Sequence, residues 1–343
     1  MLTRICLGVF GLCFLYQCNR SDKQIKPAFY YWQTKLQLSE NEQVYLQKLQ
    51  VSQLFIRFFD IDFNPETQEA LPLASLKLPT QSLKNVEVIP VVFITNRTLR
   101  FIKTNKIEVL AKQLVRKVQK MHAHATSNPL QELQVDCDWS VETKEKYFAL
   151  LKKIAQELPK TVYLSATIRL HQLKYPAMVG VPPVHKGLLM YYNMGDLVGS
   201  QTQNSILDNE IAKKYLQNYH TYTLPLDFAL PLYGWGVVLR ENKVVHLLNE
   251  IQTTDLEKKN FEPIAKNTFK VKKSHYFAGV YLYENDELRV ENPTLNDLQQ
   301  ACRLLQKQIN QPNTRLIFYH LSPNILRKFE VKDLEKLIIT LQK

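Results

Sequence analysis

Leu133-Gln134-Val135-Asp136-Cys137-Asp138 is the stretch on which the fold turns. In an extended segment successive side chains point to opposite faces, so Gln134, Asp136 and Asp138 share one face and Val135 and Cys137 the other. The apolar face suits packing against helices, which leaves both acids directed inward. Inward carboxylates are costly unless paired, hydrogen-bonded or solvated. Two neighbouring acids also push one pKa upward, which suits proton transfer.

Working outward from this segment, the same alternation of short apolar runs and amphipathic stretches fills the chain. Strands are expected at 28–32, 54–60, 86–94, 133–138, 162–168, 187–192, 228–233 and 315–320, where β-branched and aromatic residues concentrate. Helical patterns fall near 106–124, 141–157, 208–217, 294–310 and 331–342, and Ser39-Glu40-Asn41-Glu42 reads as a capping box. Eight strands alternating with helices predict an α/β fold, a (β/α)₈ TIM barrel. The long connection before the last strand carries two hairpin patterns, Val237–Val245 turning at Glu241-Asn242 and Gly279–Val290 turning at Asn285-Asp286. They predict an excursion over about 237–290 on the barrel's top, between strands 7 and 8.

The first residues read as a targeting segment. Arg4 precedes the uncharged apolar run Ile5–Tyr16, shorter than the roughly 20 residues that span a bilayer and suited to a signal peptide. Cys18 follows, and it resembles the lipidation site of bacterial lipoproteins, although Gln17 departs from the small residue usual before it. The reading is a signal peptide at 1–17, a polar tether at 18–26 and the barrel at 27–343. It places the protein in the bacterial cell envelope, lipid-anchored to a membrane, with plain secretion as the alternative. Past the signal only Cys18, Cys137 and Cys302 remain, too few for a disulfide framework and without zinc-ligand spacing. No cofactor or metal is expected.

The formal net charge of +12 suits acidic polysaccharides, nucleic acid or an anionic membrane face. The lysines are scattered along helix-like stretches, as a solvated helix face would have them, and with export expected and no nucleic-acid motif, nucleic acid is not a partner. GxSxG, P-loop, GxGxxG and HExxH motifs are absent from the sequence.

Three motifs, in order, resemble the chitinases of glycoside hydrolase family 18. Asp136-Cys-Asp138-Trp-Ser140 matches both aspartates of Asp-x-Asp-x-Glu and has serine at the glutamate. Met190-Tyr-Tyr192-Asn193 resembles the sixth-strand Met-x-Tyr-Asp or Met-x-Tyr-Asn, and Leu230-Pro-Leu-Tyr233-Gly234 the frequent seventh-strand Leu-Pro-x-Tyr-Gly. In that family the glutamate protonates the leaving oxygen, while the last aspartate and the sixth-strand tyrosine hold the substrate's acetamido group. The stretch 131–236, with Leu133–Asp136, Tyr147, Leu150-Leu151, Leu158-Pro159, Leu164-Ser165 and Met194-Gly195, also resembles an uncharacterised bacterial family of exported barrel proteins.

A serine hydroxyl cannot serve as the acid. Three readings follow: Asp136 or Asp138 acts in altered geometry, another strand supplies the acid, or the site only binds. Asp60, Asp62, Asp196 and Glu241 are the candidate substitutes, since glycosidases pair carboxyls roughly 5–10 Å apart. Arg169 pairs with one aspartate or contacts substrate. Trp32, Tyr192, Asn193, Tyr233 and Trp235 sit near strand ends where rings stack on sugars, though barrel aromatics also serve as core. Trp139 is expected to face outward, and His171 and His320 read as satisfied histidines more readily than as bases. The resulting expectation is an exported lipoprotein whose glycoside-hydrolase-like barrel acts on or binds a carbohydrate. A non-catalytic glycan- or peptidoglycan-binding lipoprotein, or a scaffold with a plugged barrel mouth, is the alternative. Oligomeric state is open.

Overall fold

The computed structural model of the chain describes residues 24–78, 83, 86–199 and 202–343. The apolar run at 5–16 and Cys18 lie outside the described residues. Eight strands form the barrel: β1 (Gln24–Tyr31), β2 (Gln53–Asn64), β3 (Glu87–Ile94), β4 (Glu132–Asp136), β5 (Tyr163–Arg169), β6 (Lys186–Met190), β7 (Leu226–Pro231) and β8 (Asn313–Tyr319). Each pairs in parallel with the next, and β8 closes on β1. Closure removes the exposed edges that an open sheet would present. Because β1 starts at Gln24, residues 24–26, read from sequence as tether, pair with β8.

Helices cover the outside in the expected order. Ser39 and Glu42 form a reciprocal capping box on helix Glu40–Lys48. Helix Ile107–Ala125 buries Leu110, Leu114, Val118 and Met121, one stripe at helical spacing, each large apolar side chain contributing about 1.5–3 kcal/mol. Trp139 turns outward as alternation requires, buried among the helices with its ring stacked on Tyr147 and Nε1 donating to the Val179 carbonyl at 3.0 Å. Cys137 and Cys302 are separate buried thiols. Among the described residues no helix is long and apolar enough to cross a membrane.

Polar residues inside the barrel are arranged in tiers, the acids of β4 and Asp138 just past its end each served by the facing column of β5. Glu132 accepts from Ser165 at 2.5 Å, Asp136 from Thr167 at 2.6 Å, and Asp138 from Arg169 at 2.7 Å. At the lower end Arg315 bridges Glu132 and Asp227, both at 2.6 Å, and Lys186 adds a second cation on Asp227 at 2.6 Å. Tyr30 donates to Gln134 in the middle tier. These ion pairs occupy the lower end of the barrel, opposite the end where the strands finish.

The connection between β7 and β8 forms a five-stranded antiparallel sheet from Trp235–Arg240, Lys243–Asn249, Phe261–Pro263, Thr268–Val271 and Glu287–Glu291. Val238, Leu248, Phe261, Leu288 and Val290 belong to its own small core. The first expected hairpin is present: Glu241 and Asn242 both have positive φ, the turn geometry that matches strand twist. The second is corrected. Val280–Leu282 pairs back with His275–Phe277 around Ala278-Gly279, both at positive φ, while Glu287–Glu291 joins the larger sheet. Ala278-Gly279 supplies the tight two-residue turn, where the sequence pattern has Gly279 as the start of the hairpin's first strand.

Candidate functional site

A cavity of about 840 Å³ opens at the C-terminal ends of the barrel strands, where active sites of this fold lie. Asp136, Asp138, Arg169, Tyr192, Asn193, Tyr233, Trp235 and Trp32, the eight site residues expected from sequence, all line it. The mouth is open, so the plugged scaffold finds no support in its geometry.

Asp136 forms the floor. Burial pushes its carboxyl up to about 6, an effect that Arg169 and the Thr167 hydrogen bond oppose and Asp138 and Asp60 reinforce. Asp138, higher and half-exposed, takes both of its oxygens into a pair with Arg169. Its partner is thereby Arg169 rather than a second acid.

β2 contributes a second such pair, of which the sequence points to Asp60 alone. A bulge between Arg57 and Phe59 shifts the register, so that Arg57 and Asp60, three residues apart, both reach the cavity and pair with each other. Strict alternation would have put them on opposite faces. The Arg57 guanidinium also lies 5.5 Å from the centre of the Trp32 ring, within cation–π range.

Rings build the rest of the wall. Tyr319 lies 5.8 Å from Trp32, 5.5 Å from Tyr192 and 5.5 Å from Tyr233, and Tyr233 lies 5.7 Å from Trp235. The Tyr192 hydroxyl is buried with no hydrogen-bond partner among the described residues, an unsatisfied donor beside the cavity. Asn193 adopts a left-handed backbone (φ 55°) and accepts from the Tyr233 hydroxyl at 2.5 Å. The excursion fixes Trp235: its Nε1 donates at 2.8 Å to Glu291, a buried carboxylate that also holds Arg289 and Ser205. Gly234 makes the crossing from β7 possible, since a Cβ there would sit 2.0 Å from the Asn292 side chain.

The other candidate acids separate. Asp62 pairs with Arg97 away from the cavity, Asp196 caps its own loop through Val198 N–H, and Glu241 occupies the hairpin turn. Of the four, only Asp60 lines the cavity. Ser140 does not line it either: its hydroxyl donates to Glu142 and its N–H to Thr143 at the start of the following helix. His320 is a wall residue whose ring burial pulls below the ordinary histidine range, while His171 lies outside the lining.

Glu250 is the acid that sequence reasoning missed. It follows strand Lys243–Asn249 with φ 59°, donates its N–H to Gly234 O at 2.8 Å, and accepts from Ser322 and Asn324. No motif surrounds it in sequence; only the return of the excursion to the barrel mouth brings it in. Among the described residues no group of three His, Cys, Asp or Glu is placed to hold a metal.

No protein-family model matches this sequence, and no curated protein does. Solved structures do resemble it. The spore cortex-lytic enzyme SleL of Bacillus cereus aligns with a TM-score of 0.56 at 14% identity, over 92% of this chain and 74% of that one. A chitinase from Chromobacterium violaceum gives 0.55 at 10% identity, over 92% and 99%. Catalytic domain 2 of an Ostrinia furnacalis Group II chitinase, a mutant solved with penta-N-acetylchitooctaose, gives 0.52 at 11%, over 92% and 95%. At these identities the likeness shows a shared barrel fold.

Proposed function

We propose that the barrel mouth binds a carbohydrate chain without cleaving it by the route its structural neighbours would suggest. The observation that carries this reading is the Asp138–Arg169 pair in an aromatic-walled cavity that Ser140 does not reach. Rings of Trp32, Tyr233 and Trp235 offer faces for sugars, and ion-paired carboxylates offer oriented acceptors for hydroxyls. A neighbour solved with a chito-oligosaccharide supports an oligosaccharide as the ligand class. The apolar run Ile5–Tyr16 and Cys18 support a tethered position at the cell envelope, which metabolic labelling with palmitate would test through Cys18→Ala.

Titration calorimetry of the purified full chain in mild detergent, with neutral, N-acetylated and free-amine oligosaccharides, tests the binding reading. Micromolar to millimolar affinity that falls in Tyr233→Ala supports it. The absence of heat from every sugar, with folding verified by circular dichroism, rejects it.

A second reading, hydrolysis, is favoured by Asp136, whose carboxyl burial pushes up to about 6, toward the range a general acid requires. Mass spectrometry of the same incubations decides: new oligosaccharide products that vanish in Asp136→Asn establish cleavage.

A further inference from the structure

The protein as a whole is basic, with a formal net charge of +12, yet its cavity has the opposite balance. Among the described residues, Asp60, Asp136, Asp138 and Glu250 line it against only two cations, Arg57 and Arg169. Both arginines are already committed, Arg57 to Asp60 and Arg169 to Asp138. The remaining two acids have no lysine or arginine within 4.0 Å among the described residues. Asp136 is hydrogen-bonded by the neutral Thr167, and Glu250 by the neutral Ser322 and Asn324.

The other titratable groups facing the cavity do not change this balance. Burial raises the phenols of Tyr192, Tyr233 and Tyr319, and lowers the ring of His320, so all four are neutral near neutral pH. Lys328 shares a small gap behind the wall with Glu250, but its amine donates to Asn292 at 3.0 Å.

Resting on the carbohydrate reading, we propose that the preferred ligand is a glycan containing unsubstituted amino sugar, a de-N-acetylated hexosamine whose ammonium group is held by Glu250. An ammonium brings the missing cation to a carboxylate that otherwise has only neutral donors, forming a charge-assisted bond in a partly desolvated wall. Acetylation removes that charge. A uronic acid adds a negative charge beside Glu250, which has no cation of its own among the described residues. The overall positive charge attracts anionic polymers from a distance, and the cavity selects against them on contact; long-range attraction is screened by salt whereas the buried contact is screened much less.

The test is calorimetry on the full chain with three tetrasaccharides: de-N-acetylated chitotetraose, its fully N-acetylated form, and a tetragalacturonide. At a pH where the amines are protonated and at physiological salt, the free-amine sugar should bind about tenfold or more tighter than the acetylated one. Glu250→Gln should bring that ratio toward one. A second measurement stands if the variant does not fold: in the parent protein, the preference should fade as pH rises and the amines lose their protons. Equal affinities, tighter binding of the acetylated or galacturonide sugar, or a preference unchanged by pH would overturn the inference and leave the carbohydrate reading in place. No binding of any of the three would overturn both.

Discussion

Arg169 holds Asp138 with two guanidinium nitrogens, Nη2 on Oδ2 at 2.7 Å and Nε on the other carboxylate oxygen. The paired geometry fixes the carboxylate plane and leaves the second lone pair of each oxygen as an oriented acceptor. It also places a cation above Asp136, where it opposes the upward push of burial.

Removing that clamp should be modest in stability and large in ligand response. Asp138 is 47% exposed and Arg169 21%, so water screens the pair and Asp138→Ala should cost only about 1–2 kcal/mol. Urea denaturation measures it. A loss above about 4 kcal/mol would mean that the pair is a structural core element.

Asp136 should make stability depend on pH. Its folded pKa, about 6, lies above the unfolded value near 3.9, so the native state binds the extra proton between those pH values. The favourable contribution of the neutral buried carboxyl is therefore full below about pH 4 and lost as pH rises through 6. Asp136→Asn should flatten that dependence and exceed the parent in stability at neutral pH by on the order of 2–3 kcal/mol. Denaturation at acidic and neutral pH checks both the sign and the size.

Glu291 should be indispensable to the wall. It is 0% exposed and satisfies Arg289, Ser205 and Trp235 together. Glu291→Ala leaves a buried guanidinium unpaired, which costs about 3–5 kcal/mol. Tryptophan fluorescence should report a loosened Trp235 before global unfolding. A variant as stable as the parent would show that the excursion does not depend on this node.

Tyr233→Ala should lower oligosaccharide affinity by about tenfold, the effect of losing one stacking face. Calorimetry measures it, and an unchanged affinity would place the sugar elsewhere.

Ser140→Glu should not create hydrolysis. Position 140 faces the helix start through Glu142 and Thr143, and a second carboxylate beside Glu142 adds like-charge repulsion. Oligosaccharide products appearing in this variant would show that the position does reach the cavity and that a missing acid is all that silences it.

The sequence alone determined the barrel and most of its mouth, because strand alternation and helical periodicity are local. Gln134, Asp136 and Asp138 had to share a face, Trp139 had to turn away, and residues ending parallel strands had to converge at one end. What alternation cannot encode is a change of register or a partner distant in the chain. Arg57 and Asp60 came together only through the β2 bulge. The choice of Arg169 for Asp138 over Asp136 depended on the heights of two columns inside the barrel. Glu250 entered the site because a five-stranded excursion returns it to Gly234 and the loop after β8. Its electrostatic role comes from which charges are left without partners once the chain has closed, and tertiary structure alone decides that.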